Sequence, residues 1–123
     1  MNGICRLVIM VVLATMSLAC ATPMTFTDRP MTSADRDTEY AIDDRDDGFV
    51  ITVNYSRYQF IPESSAVATA CKSALTSLAF ENADRKKQKI EPVNDQRIRI
   101  SMGRNGFTGI TSCSAQATVL WQK

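Results

Sequence analysis

Four cysteines, two closely spaced arginines and a run of aspartates are the side chains of this 123-residue chain with chemistry to offer. There is no histidine, so the usual general base, neutral-pH switch and commonest metal ligand are all missing. A catalytic thiolate would lack the imidazole that normally activates it. The acidic run Asp43-Asp44-Arg45-Asp46-Asp47-Gly48 invites a calcium-loop reading. It fails on spacing, because Arg45 stands where the third-position ligand belongs and no Glu closes the loop. Asp84, Glu91 and Asp95 are scattered, and no nucleophile elbow, phosphate loop or metal-ligand spacing occurs. The chain therefore reads as a non-enzyme without metal or cofactor. Arg97 and Arg99 sit at strand spacing, on one face, where they could hold a carboxylate or phosphate. Lys86 and Lys87, in the basic run Arg85–Lys89, could join them, or could simply complement a helix dipole.

The N-terminus reads as an address. Arg6 supplies a positive start, Leu7 to Ala19 carries no charge, and small residues follow. Thirteen residues are too few for a comfortable bilayer span, and the pattern is that of a signal peptide over 1–19. Met16-Ser17-Leu18-Ala19-Cys20 resembles the lipobox of bacterial lipoprotein precursors, with Ser17 where Leu is usual. The resemblance implies cleavage before Cys20, acylation of its thiol, and attachment to a membrane through that lipid. Ala21 in place of Asp further implies the outer membrane, with the domain facing the periplasm. Ala19-Cys20-Ala21 also suits ordinary cleavage, which would leave a soluble periplasmic protein.

Export sets the redox context. Cys5 is lost with the signal, acylation accounts for Cys20, and Cys71 and Cys113 remain as a pair for an oxidising compartment. Two buried free thiols are the other possibility. A bridge would close a loop of about 43 residues and contribute about 4 kcal/mol in the chain-entropy model.

Residues 20–47 read as a lipidated N-terminus followed by a flexible acidic linker. From 21 to 47 there are eight acids against three arginines, net −5, whereas residues 48–123 are net +5. The whole chain is only +1, so no nucleic-acid partner is expected.

The domain is expected over 48–123. Phe49, Ile51, Val53 and Tyr55 alternate as a half-buried strand, and a phase change at Tyr58 and Phe60 predicts a bulge or strand end near Ser56-Arg57. Pro62-Glu63-Ser64-Ser65 predicts a helix start with a Ser cap. Val67, Ala70, Cys71, Ala74, Leu75 and Leu78 recur at helical spacing, with the helix ending near Asn82. Ile98, Ile100 and Met102 alternate with Arg97, Arg99 and Ser101, and Asn105-Gly106 predicts a two-residue hairpin turn in which partner numbers sum to 211. Phe107 to Trp121 is the return strand. Cys71 then points inward from the helix, and Cys113 points toward it from the sheet.

The expected fold class is α+β: a two-layer β-α-β-β domain, one helix on a three-stranded mixed sheet with the last strand central, stapled by one disulfide, after a signal peptide and a disordered acidic linker. The sheet face away from the helix would be open, showing Thr52, Asn54, Arg97, Arg99, Ser112, Ser114, Gln116 and Thr118. That face is either plain solvent surface or a contact for an anionic partner. The function expected is a non-enzymatic envelope lipoprotein binding another envelope protein or an anionic envelope polymer. The alternative is an inhibitor or immunity-type protein blocking a periplasmic enzyme.

Overall fold

The computed structural model describes residues 26–123. The expected signal peptide over 1–19 and the expected acylation site Cys20 lie outside the described residues.

Five strands and one long helix make up the fold: β1 (Thr32–Ser33), β2 (Thr38–Asp44), β3 (Gly48–Tyr58), α1 (Ser64–Arg85), β4 (Arg99–Asn105) and β5 (Ile110–Leu120). The strands form one sheet in the order β1-β2-β3-β5-β4, and every ladder is antiparallel. This corrects the expected three-stranded mixed sheet. β5 does lie between β3 and β4. Strands β3 and β4 run the same way but do not pair, so there is no parallel ladder among the described residues. The two extra strands come from the segment expected to be a disordered acidic linker. In β2, Thr38, Tyr40 and Ile42 face the helix side with β3 residues Tyr55, Val53 and Ile51 as their partners. The acidic run that follows is the β2–β3 turn, where the Arg45 N–H donates to the Gly48 carbonyl over 2.8 Å. Asp and Gly suit a tight turn as well as they suit a linker, and composition alone does not separate the two.

Strand β3 pairs with β5 without a break from Gly48↔Leu120 to Tyr58↔Ile110. There is no bulge near Ser56; the strand ends at Tyr58. The β4–β5 hairpin also departs from expectation. Asn105 pairs with Ile110 and Met102 with Cys113, so partner numbers sum to 215 rather than 211. A four-residue loop replaces the two-residue turn. The Asn105 side-chain oxygen accepts from the Phe107 and Thr108 N–H groups, and Gly109 closes the loop with φ 71°. The slip is an even number, so every side chain keeps its expected face.

Helix α1 begins without a Ser cap. Instead the Gln59 amide accepts from the Glu63 N–H and donates to the Glu63 carbonyl, each over 3.1 Å. The helix ends three residues beyond Asn82. There the Gln88 N–H donates to the Ala83 carbonyl and the Lys87 N–H to the Asp84 carbonyl, a Schellman closure with Lys87 in the left-handed region at φ 55°. Ile90 makes only an isolated bridge to Trp121, as Pro92 two residues on would require of a short edge segment.

The core lies between α1 and the middle of the sheet. Val67, Cys71, Leu75 and Ala79 from the helix meet Phe49, Ile51 and Val53 from β3 and Cys113, Ala115 and Val119 from β5. Cys71 and Cys113 are bonded, with Cα atoms 6.3 Å apart and exposures of 0% and 1%. The staple thus joins helix to sheet inside the core.

Candidate functional site

The sheet face opposite α1 carries the polar side chains the sequence singles out, and register arranges them in rows. One row runs Ala41, Thr52, Gln116, Arg99; the next runs Glu39, Asn54, Ser114, Ser101. Alternation along each strand explains this, since even-numbered positions of β3 and β5 face away from the apolar odd-numbered set.

The centre of this face is not open, contrary to expectation. Thr52 is 3% exposed and Ser114 2%. Residues 26–29 cross the face as a strap. The Gln116 amide donates to the Phe26 carbonyl and to the Thr52 hydroxyl, each over 3.1 Å. The Arg99 guanidinium stacks 5.0 Å from the Phe26 ring centre. At the far side of the crossing Arg29 pairs with Asp43 at 2.8 Å, and Asp43 also holds Arg45 at 2.9 Å. In the neighbouring row the buried Ser114 hydroxyl has no hydrogen-bond partner.

Beside the strap, toward the Tyr58 end, the face opens into a hollow of about 430 Å³. Arg36, Asp37, Glu39, Asn54, Arg57 and Tyr58 line it. It mixes both signs of charge with amide and hydroxyl groups. Sequence reasoning missed it because Arg36, Asp37 and Glu39 fall in the supposed linker. The available signal was the alternation of Thr38, Tyr40 and Ile42.

The structure separates the candidate cationic residues. Arg99 is on β4 at the sheet edge, stacked on Phe26. Arg97 belongs to a 3₁₀ turn, Asp95–Arg97, and lies beside Glu91 and Thr118 in a small hollow. Lys86 is ion-paired with Asp44, and Lys87 closes the helix on the other layer. Strand β2, which carries Asp44, is three strand spacings from β4, about 14 Å, so Lys86 does not converge with Arg99. Cys71 and Cys113 are brought together as expected. Among the described residues no helix is long and apolar enough to cross a membrane, and no three metal-ligating side chains are grouped to hold a metal ion.

Comparison with protein-family models, curated proteins and solved structures returned no match.

Proposed function

We propose that this chain is a non-enzymatic lipoprotein of the bacterial cell envelope, acylated on Cys20, whose folded domain binds another envelope protein or an anionic envelope polymer. The observation that carries the reading is the fully buried Cys71–Cys113 bridge. Persistent disulfides belong to oxidising compartments, and the lipobox-like Met16–Cys20 supplies both the export signal and the attachment. A folded unit that starts by Phe26 changes the mechanical picture. Phe26 is six positions beyond Cys20, a reach of about 20 Å at full extension. The domain is therefore held close against its membrane rather than on a long tether.

On this reading an anionic partner would meet Arg99 on the edge strand β4 and Arg97 in the 3₁₀ turn that precedes it. Palmitate labelling should mark the wild-type chain and not Cys20→Ala; equal labelling would overturn the anchor. In pull-downs from solubilised membranes, replacing Arg97 and Arg99 together with Gln should weaken retention and flatten its salt dependence, since exposed charges are screened over about 8–10 Å. The Lys86→Gln, Lys87→Gln pair should leave retention unchanged.

A further inference from the structure

Two loops meet at the end of the sheet remote from Trp121. The β3–α1 connection carries Phe60 and Ile61, which are 85% and 71% exposed, and the β4–β5 loop carries Phe107 at 88%. Tyr58 and Ile110, cross-strand partners at the base of the tip, are also exposed. These are not slack loops. The Gln59 N–H donates to the Gly109 carbonyl over 2.9 Å. Arg104 donates to the Gln59 carbonyl over 3.2 Å and to the Thr111 hydroxyl over 3.0 Å, and Thr111 donates to the Gln59 side chain over 2.9 Å. Five large exposed apolar side chains thus project from segments that these hydrogen bonds tie together.

We propose that this tip docks into the lipid interface of the bilayer that carries the anchor, with Phe60, Ile61 and Phe107 entering the headgroup–acyl boundary. The reach argument rests on the acylation of Cys20 put forward above. Phe26 is held to Gln116, six residues from Ile110 along β5, or about 20 Å. The six residues from Cys20 to Phe26 span about the same distance. An acylated Cys20 can therefore sit level with the tip while the strap stays in place, and any tilt of the sheet toward the membrane relaxes the link. Aromatic side chains at loop ends match the lipid interface, where an apolar body meets a hydrated boundary. A second copy fits less well. A stable interface takes roughly 20–30 residues a side, and a projecting tip of five side chains offers far fewer.

The test uses the exported full-length protein with Cys20→Ala, so that no acyl chain carries it to lipid, and vesicles of phosphatidylethanolamine with a minor share of phosphatidylglycerol. Phe107→Trp in this background should show blue-shifted emission that lipids brominated on the acyl chains quench. The parent protein, whose single Trp121 packs on Phe49 at the other end of β5, should show neither. Replacing Phe60 and Phe107 together with Ser should lower vesicle partitioning about tenfold or more, with the melting temperature retained. Unquenched Phe107→Trp emission, or equal partitioning of the double Ser protein, overturns the docking. So does a dimer that the double Ser change dissolves while vesicles leave the emission unaltered. Palmitate labelling reports separately on Cys20: quenching supports the docking whether or not the thiol is labelled, and labelling without quenching overturns the docking alone.

Discussion

Lys87 occupies a backbone conformation that costs a side-chain-bearing residue about 1–2 kcal/mol, because the Schellman closure of α1 needs a left-handed residue there. Lys87→Gly should therefore stabilise the protein by about 0.5–1 kcal/mol, after the added freedom of the unfolded chain is subtracted. A higher urea midpoint at unchanged slope is the expected result. Gly48 shows the opposite constraint. A Cβ placed there would stand 1.9 Å from the Val119 carbonyl oxygen, backbone that cannot yield without opening the β3–β5 ladder. Gly48→Ala should cost about 2–3 kcal/mol, as overpacking does elsewhere, read from the same denaturation. Ser114 differs again: its hydroxyl is buried and unpartnered, so its desolvation is uncompensated. Ser114→Ala removes it at nearly constant volume and should raise stability by about 1 kcal/mol; a loss of stability would mean the hydroxyl has a water partner.

At the scale of elements, the expected linker and the observed β2 are the same residues, and the difference is one of neighbours. Glu39, Asp43 and Asp44 look like solvated linker charges in one dimension. In the fold Asp43 is held between Arg29 and Arg45 and Asp44 by Lys86, so the negative segment is matched to bases that are distant or adjacent in sequence. The strap depends on a small number of contacts, of which the Arg99–Phe26 stack is one. A stack of this kind is worth about 0.5–1 kcal/mol at an exposed site. Phe26→Ala should thus leave global stability nearly unchanged while raising amide exchange at residues 27–31 and exposing Thr52. If exchange there does not change, the polar contacts hold the strap alone. Gln59 joins β3, α1 and the β4–β5 loop through its backbone and side chain. Its replacement by Ala should cost about 1–3 kcal/mol, because a helix start loses its partner and Thr111 loses an acceptor.

For the molecule as a whole, the disulfide is the largest single contribution to be tested. It spans 42 residues of sequence, for which the chain-entropy model gives about 4 kcal/mol, a large share of the 5–15 kcal/mol expected of a domain this size. Replacing Cys71 and Cys113 together with Ala should lower stability by about that amount, and wild-type protein exported to an oxidising compartment should resist alkylation at both positions until it is unfolded and reduced. The two ends of the sheet also differ in character. Bases and acids pair around the β2–β3 turn and the end of α1, whereas the β4–β5 loop end carries the exposed apolar side chains Phe60, Ile61 and Phe107.

Local periodicity was enough to determine the helix, the apolar faces of β3, β4 and β5, and the meeting of Cys71 with Cys113. A helix repeats every 3.6 residues and a strand every two, and a side chain's face follows from its own neighbours in sequence. The pairing survived a wrong turn length for the same reason, since a slip by an even number of residues leaves faces unchanged. Tertiary structure decided the rest. Asp-rich and Gly-containing stretches serve turns and linkers alike, so only the β3 edge revealed that residues 38–44 pair with it. Whether Arg99 faces solvent or an aromatic ring depended on where Phe26 came to lie, 73 residues earlier in the chain. The exposed tip arose likewise from two loops that only the sheet brings together. Contacts between segments distant in sequence leave no periodic trace in either segment, and in this protein those contacts set which surfaces are covered and which remain to bind.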